Sequence, residues 1–116
     1  MTFKNFTEVV KQKYPKAVIY PHGKFAGNKI NVTIVFNGTN HEKVYQYNGT
    51  YCEVLNKLGI KAFYKHNYGI MKSTLERYKE ENGTVCPLFG ITYNYDDAIK
   101  QLTAEIEDIE KNYIIV

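Results

Sequence analysis

Serine occurs once in this chain, at Ser73, cysteine twice, at Cys52 and Cys86, and aspartate nowhere before Asp96. Each scarcity narrows function. Two cysteines are too few for the disulfide framework of a small secreted domain, so both are read as free intracellular thiols. Neither stands with His22, His41 or His66 at the close spacing of structural zinc sites, and no metal or other cofactor is expected. Ser73 is better placed to cap a helix than to attack a substrate. Residues 1–95 hold no aspartate, and their glutamates fall at capping or solvent-facing positions, which leaves no carboxylate pair for acid–base chemistry. A small thiol enzyme stays as the remote alternative: Cys52 in the first turn of a helix, with His41 or His66 as base. No apolar run nears the ~18 residues that cross a bilayer. The opening MTFKNFTEVVKQKYP has no apolar core of a secretory leader. The expectation is a cytoplasmic protein with no membrane partner and no enzymatic activity.

What is present describes one folded domain over residues 1–116. Apolar residues make up 44% and charged residues 23%, ordinary globular proportions that argue against disorder. Net charge is +3 and unevenly spread. Residues 1–95 hold 13 basic and 6 acidic side chains, net +7; residues 96–116 hold 2 and 6, net −4. A basic body of this kind suits a polyanionic partner, although lysine-rich surfaces also arise from the Lys, Asn, Tyr and Ile usage of an AT-rich genome.

Periodicity predicts an α+β fold in the order α-β-β-β-α-α-β-α, a small antiparallel sheet of about four strands covered on one face by helices, chiefly the first and last. The first helix spans Thr2 to Lys13, capped by Thr2 and ended by Pro15. AVIYPHGKF and KINVTIVF read as a hairpin, with Ile30, Val32, Ile34 and Phe36 on one face and Asn31 and Thr33 on the other. The tripeptide Asn-Gly-Thr then recurs three times as punctuation. Asn37-Gly38 is a hairpin turn. Gly49 breaks the next strand, and Thr50 forms a capping box with Glu53 for a helix carrying Tyr51, Val54, Leu55 and Leu58, closed at Gly59 with Ile60 in a Schellman contact. Asn82-Gly83 stops a third helix that a second capping box, Ser73 and Glu76, opens. TVCPLFGITYNY reads as one strand at a sheet edge. Asp96 or Asn94 caps the last helix, with acids in its first turn as the dipole prefers.

Two patterns reach beyond the fold. KAFYKHNYGIMK interleaves Lys61, Lys65, His66 and Lys72 with Phe63, Tyr64 and Tyr68, as an exposed loop or short strand whose cations meet phosphates and whose rings stack on bases. Its competing reading is a half-buried segment with outward lysines. HGKFAGNK lacks the P-loop pattern but can present Lys24 and Lys29 at a hairpin tip. In the last helix Ile99, Leu102, Ile106, Ile109 and Tyr113 recur at 3-4 spacing, the seam of a homodimer or a helix packed along its own sheet. The function expected first is a non-catalytic binding or inhibitor protein of a phage or mobile element. It would block a host nucleic-acid defence enzyme, in an anti-CRISPR-like or anti-restriction-like manner. The alternative is direct nucleic-acid binding by a basic, tyrosine-rich surface. The partners expected are therefore a nucleic-acid-processing protein complex, nucleic acid itself, or both.

Overall fold

The computed structural model describes the chain except for residues 24–26, 28, 38 and 39 and the side chains of 40–43. The elements run α1 (Phe3–Lys13), β1 (Val18–Pro21), β2 (Lys29–Asn37), β3 (Asn40–Thr50), α2 (Tyr51–Lys57), β4 (Ala62–Phe63), α3 (Lys65–Glu81), α4 (Asp96–Asn112) and β5 (Ile114–Ile115). β1, β2 and β3 form an antiparallel sheet with β2 in the centre, and β4 pairs with β5. The architecture is α+β, close to the predicted order. The chain divides into two compact units, Met1–Ala62 with Val116, and Phe63–Ile115. Among the described residues, no helix is long and apolar enough to cross a membrane.

In the N-terminal unit the alternation of β2 decides which face is covered. Ile30, Val32 and Ile34 are buried and share one core with Phe6 and Val10 of α1 and with Val54, Leu55 and Leu58 at α2. Phe6, Val10, Val32, Ile34, Val54 and Leu55 are wholly excluded from solvent. Burying each such side chain contributes about 1.5–3 kcal/mol, so this cluster is the main stabiliser of the unit. Thr2 caps α1 by accepting from the Asn5 N–H, and Thr50 caps α2 by accepting from the Glu53 N–H, both at 3.2 Å. Gly49 does not break β3. It stays in the strand opposite Ile30 at φ +141°, where a Cβ would fall 2.5 Å from the Glu53 carboxylate. The hairpin between β2 and β3 pairs Asn37 with Asn40; Gly38 and Thr39 lie outside the described residues.

The end of α2 is the predicted Schellman turn. Ile60 N–H bonds the Leu55 carbonyl at 2.9 Å and Gly59 N–H bonds that of Asn56 at 3.0 Å, with Gly59 at φ +78°. The last carbonyls are then bonded from α1. Lys13 Nζ donates to Leu58 O and Gly59 O at 3.2 and 2.9 Å, and Tyr14 Oη donates to Leu58 O at 2.8 Å.

In the C-terminal unit α3 begins at Lys65, not at Ser73. KAFYKHNYGIMK is therefore short strand and then helix, not loop. Tyr68, Met71, Leu75 and Tyr78, spaced 3, 4, 3, form its half-buried side. Gly69 hid that stripe. Thr84–Tyr95 is not one strand. It folds back on itself as an arm joining α3 to α4, with a single bridge between Val85 and Thr92. Pro87 has no N–H to give a ladder, and the chain turns there. α4 starts at Asp96 after Tyr95, with Asn94 Oδ1 accepting from the Asp96 N–H at 3.1 Å. Ile106 and Ile109 of α4 are buried, and Ile99, Leu102 and Tyr113 are half-buried. Tyr68 Oη donates to Glu110 Oε1 at 2.5 Å, joining α3 to α4.

Two glycines give opposite expectations. Gly59→Ala forces a side chain into the left-handed region and places its Cβ 2.5 Å from Lys13 Nζ, so chemical denaturation should show a loss of about 1–2 kcal/mol. Gly69→Ala, inside α3 with nothing within 4 Å, should gain about 0.5–1 kcal/mol.

Candidate nucleic-acid interface

The alternation that buries Ile30, Val32 and Ile34 sends the intervening side chains of the sheet to the opposite face. Register places His22 beside Asn31 and Asn48, Tyr20 beside Thr33 and Gln46, and Val18 beside Val35 and Val44. Lys29 ends the β2 row on this same face, opposite Thr50. Tyr20, His22, Lys29, Val44, Gln46 and Asn48 are exposed, Tyr20 at 49%. The polar groups are already ordered: His22 Nε2 lies 2.5 Å from Thr33 Oγ1, and Gln46 Nε2 donates to Asn31 Oδ1 at 3.0 Å. A sheet face carrying an aromatic ring, amides, a hydroxyl, an imidazole and a lysine can stack on an unpaired base, bond its edge and neutralise a phosphate.

Charge is divided between the units. The N-terminal unit holds 9 lysines and 3 glutamates, net +6, and the C-terminal unit 6 basic and 9 acidic side chains, net −3. The open sheet face belongs to the basic unit.

Comparison with protein-family models, with curated proteins and with solved structures finds no match to this chain.

The residues singled out from the sequence fall in several places. Lys29 joins the open face, while Lys24 lies outside the described residues. Lys61 is exposed just before β4, and Tyr64 is the residue before α3. Lys65 and His66 line a shallow depression of about 520 Å³ on α3 with Ser73 and Arg77. Tyr68 is committed elsewhere: its hydroxyl bonds Glu110, and Lys72 Nζ sits 5.3 Å from its ring centre. The α3 group is thus a basic patch in an acidic unit, with its tyrosine engaged. Tyr20, His22, Gln46 and Asn48 were not singled out from the sequence. The signal was present in the polar half of each strand's alternation.

The arm is the other exposed feature. Cys86 N–H bonds Ile91 O at 2.8 Å, Tyr93 N–H bonds Thr84 O at 2.8 Å, and Gly83 N–H bonds Tyr93 O at 2.9 Å. Tyr95 stacks between Tyr78, at 4.6 Å, and Tyr93, at 5.7 Å. Asn82 Oδ1 accepts from the Tyr95 N–H at 2.7 Å, and its Nδ2 donates to Asp96 at 2.9 Å. On this mount Leu88 is 86% exposed and Phe89 75%.

The two thiols differ. Burial pushes the Cys52 thiol up, and its Sγ bonds Ala62 O at 3.4 Å. Cys86 is held below the ordinary thiol value by a bond to the Tyr93 hydroxyl and by the N–H groups of Leu88 and Phe89. A lower pKa means more thiolate at neutral pH. Iodoacetamide at pH 7, followed by mass spectrometry, should alkylate Cys86 before Cys52, and Tyr93→Phe should slow that reaction. Equal rates at the two thiols would contradict the assignment.

Proposed function

We propose that this chain is a non-catalytic nucleic-acid-binding protein that takes single-stranded DNA or RNA on the open face of its β1–β2–β3 sheet. The observation that carries the reading is the ordered polar face itself, set with Tyr20, His22, Asn31, Thr33, Gln46 and Lys29 in a unit of net charge +6. Stacking on Tyr20 supplies sequence-tolerant affinity, the amides add contacts to base edges, and the lysines of the unit draw the phosphate chain.

The projecting arm favours a second reading. Leu88 and Phe89 on a hydrogen-bonded mount resemble an anchor for an apolar pocket on a protein. A protein that occupies a nucleic-acid-processing enzyme through such an anchor is the inhibitor form of the same non-catalytic class. The phage or mobile-element origin expected from composition belongs to this form.

Fluorescence anisotropy with labelled single strands separates the two. The first reading expects micromolar or tighter binding that weakens with salt, log K falling about 0.7 per phosphate contact against log salt. Tyr20→Ala with Lys29→Glu should then cost about tenfold or more, whereas Lys65→Glu with Lys72→Glu should change affinity by less than about threefold. No binding at low salt overturns the first reading. Under the second, a protein partner is retained after nuclease treatment and lost with Leu88→Asp and Phe89→Asp.

A further inference from the structure

The opposite face of the same sheet carries a second feature, at the end that α1 leaves uncovered. Tyr14, Phe36, Tyr45 and Tyr47 wall a groove of about 530 Å³, with Lys16 and Asn37 also lining it. Its volume lies within the range of small-ligand sites. The walls are set before anything binds. Tyr14 is fixed by its hydroxyl on Leu58 O and packs edge-on against Phe36, with ring centres 4.9 Å apart at 71°. Phe36 in turn meets Tyr45 at 5.8 Å and 62°. Tyr45 is 54% exposed, so one ring of the set still offers a face to solvent. Lys16 and Asn37 set a cation and an amide beside the rings in the lining of the groove.

β3 is an edge strand of its sheet, and its alternation connects the two faces. Gln46 belongs to the open polar face, while Tyr45 and Tyr47, opposite Ile34 and Val32, point to the other side. A nucleic-acid strand lying across the open face and passing over this edge meets the tyrosines next.

We infer that the groove holds one unpaired base of the bound strand, stacked on Tyr45 within the aromatic wall, with the Asn37 amide at the base edge and the Lys16 ammonium on the adjoining phosphate. The inference rests on the single-strand reading above. Charge argues for this occupant: among the described residues the lining of the groove holds Lys13 and Lys16 and no carboxylate, which suits a planar ring tethered to an anion.

The test compares two labelled strands of about 12 nucleotides, one of thymidines and one of abasic residues with the same backbone. Each is titrated into wild-type protein and into Tyr45→Ala and Lys16→Glu, with circular dichroism to check folding. Tyr45→Ala should weaken the thymidine strand about tenfold and leave the abasic strand unchanged, because only a base can stack. Lys16→Glu, at an exposed site, should weaken both. Equal losses on both strands in Tyr45→Ala would overturn the inference, as would no loss on either, and in both cases single-strand binding itself stands. Displacement of the thymidine strand by free thymidine monophosphate at equal nucleotide concentration would make the groove a mononucleotide site and would also overturn it. Failure of the wild-type protein to bind either strand removes the reading and the inference together.

Discussion

A helix end must satisfy its last carbonyls, and in this protein the C-terminal end of α2 does so by holding α1. The Leu58 and Gly59 carbonyls accept from Lys13 and Tyr14, the two residues that close α1. Each bond contributes only about 1 kcal/mol net, but the position matters more than the sum. The bonds fix both helices on one face of the sheet, over Ile30, Val32 and Ile34. With both helices on that side, Tyr20 of β1, His22 just after it, Lys29 of β2 and Gln46 and Asn48 of β3 stay exposed on the other, around half-buried Asn31 and Thr33, while Val35 at one end of the row is buried. The bonds also turn the Tyr14 ring onto Phe36 and so define the aromatic groove. The alternation of β2 decides the covered and open faces, and the bonds at the end of α2 set the Tyr14 wall of the groove.

The proposed function rests on what the open face and the charge distribution share. A sheet face with a ring and several amides is sequence-tolerant by itself. Placed in a unit of net +6, it gains a long-range attraction for phosphate that a unit of net −3 lacks. The same division removes weight from the α3 lysines, whose nearest aromatic, Tyr68, already serves Glu110 and Lys72.

Much of the N-terminal unit was legible in the sequence because its signals are local. Thr2, Thr50, Gly59 and the alternation of β2 each act within a few residues, and each reappears as a cap, a Schellman turn or a buried row. The C-terminal unit was harder for physical reasons. Gly69 and the polar Lys65–Asn67 turn masked the start of α3, since its stripe of Tyr68, Met71, Leu75 and Tyr78 is only half-buried against α4. Alternation in Phe89, Ile91, Tyr93 and Tyr95 looked like a strand, but those residues have little to pair with except their own arm, and Leu88 and Phe89 stand in solvent. The open face was missed because Tyr20, His22 and Gln46 are separated in the chain and become neighbours only through strand register.

The central claim, that the basic sheet unit makes the contact, is tested most directly by residue-resolved mapping. Amide chemical shifts of ¹⁵N-labelled protein would be followed while a short unlabelled single strand is added. The account predicts shifts concentrated in β1, β2 and β3 and around Tyr14 and Tyr45, with α3, α4 and the arm nearly still. Shifts concentrated at Lys65, Lys72 or the Leu88–Phe89 tip, with the sheet unmoved, would contradict it.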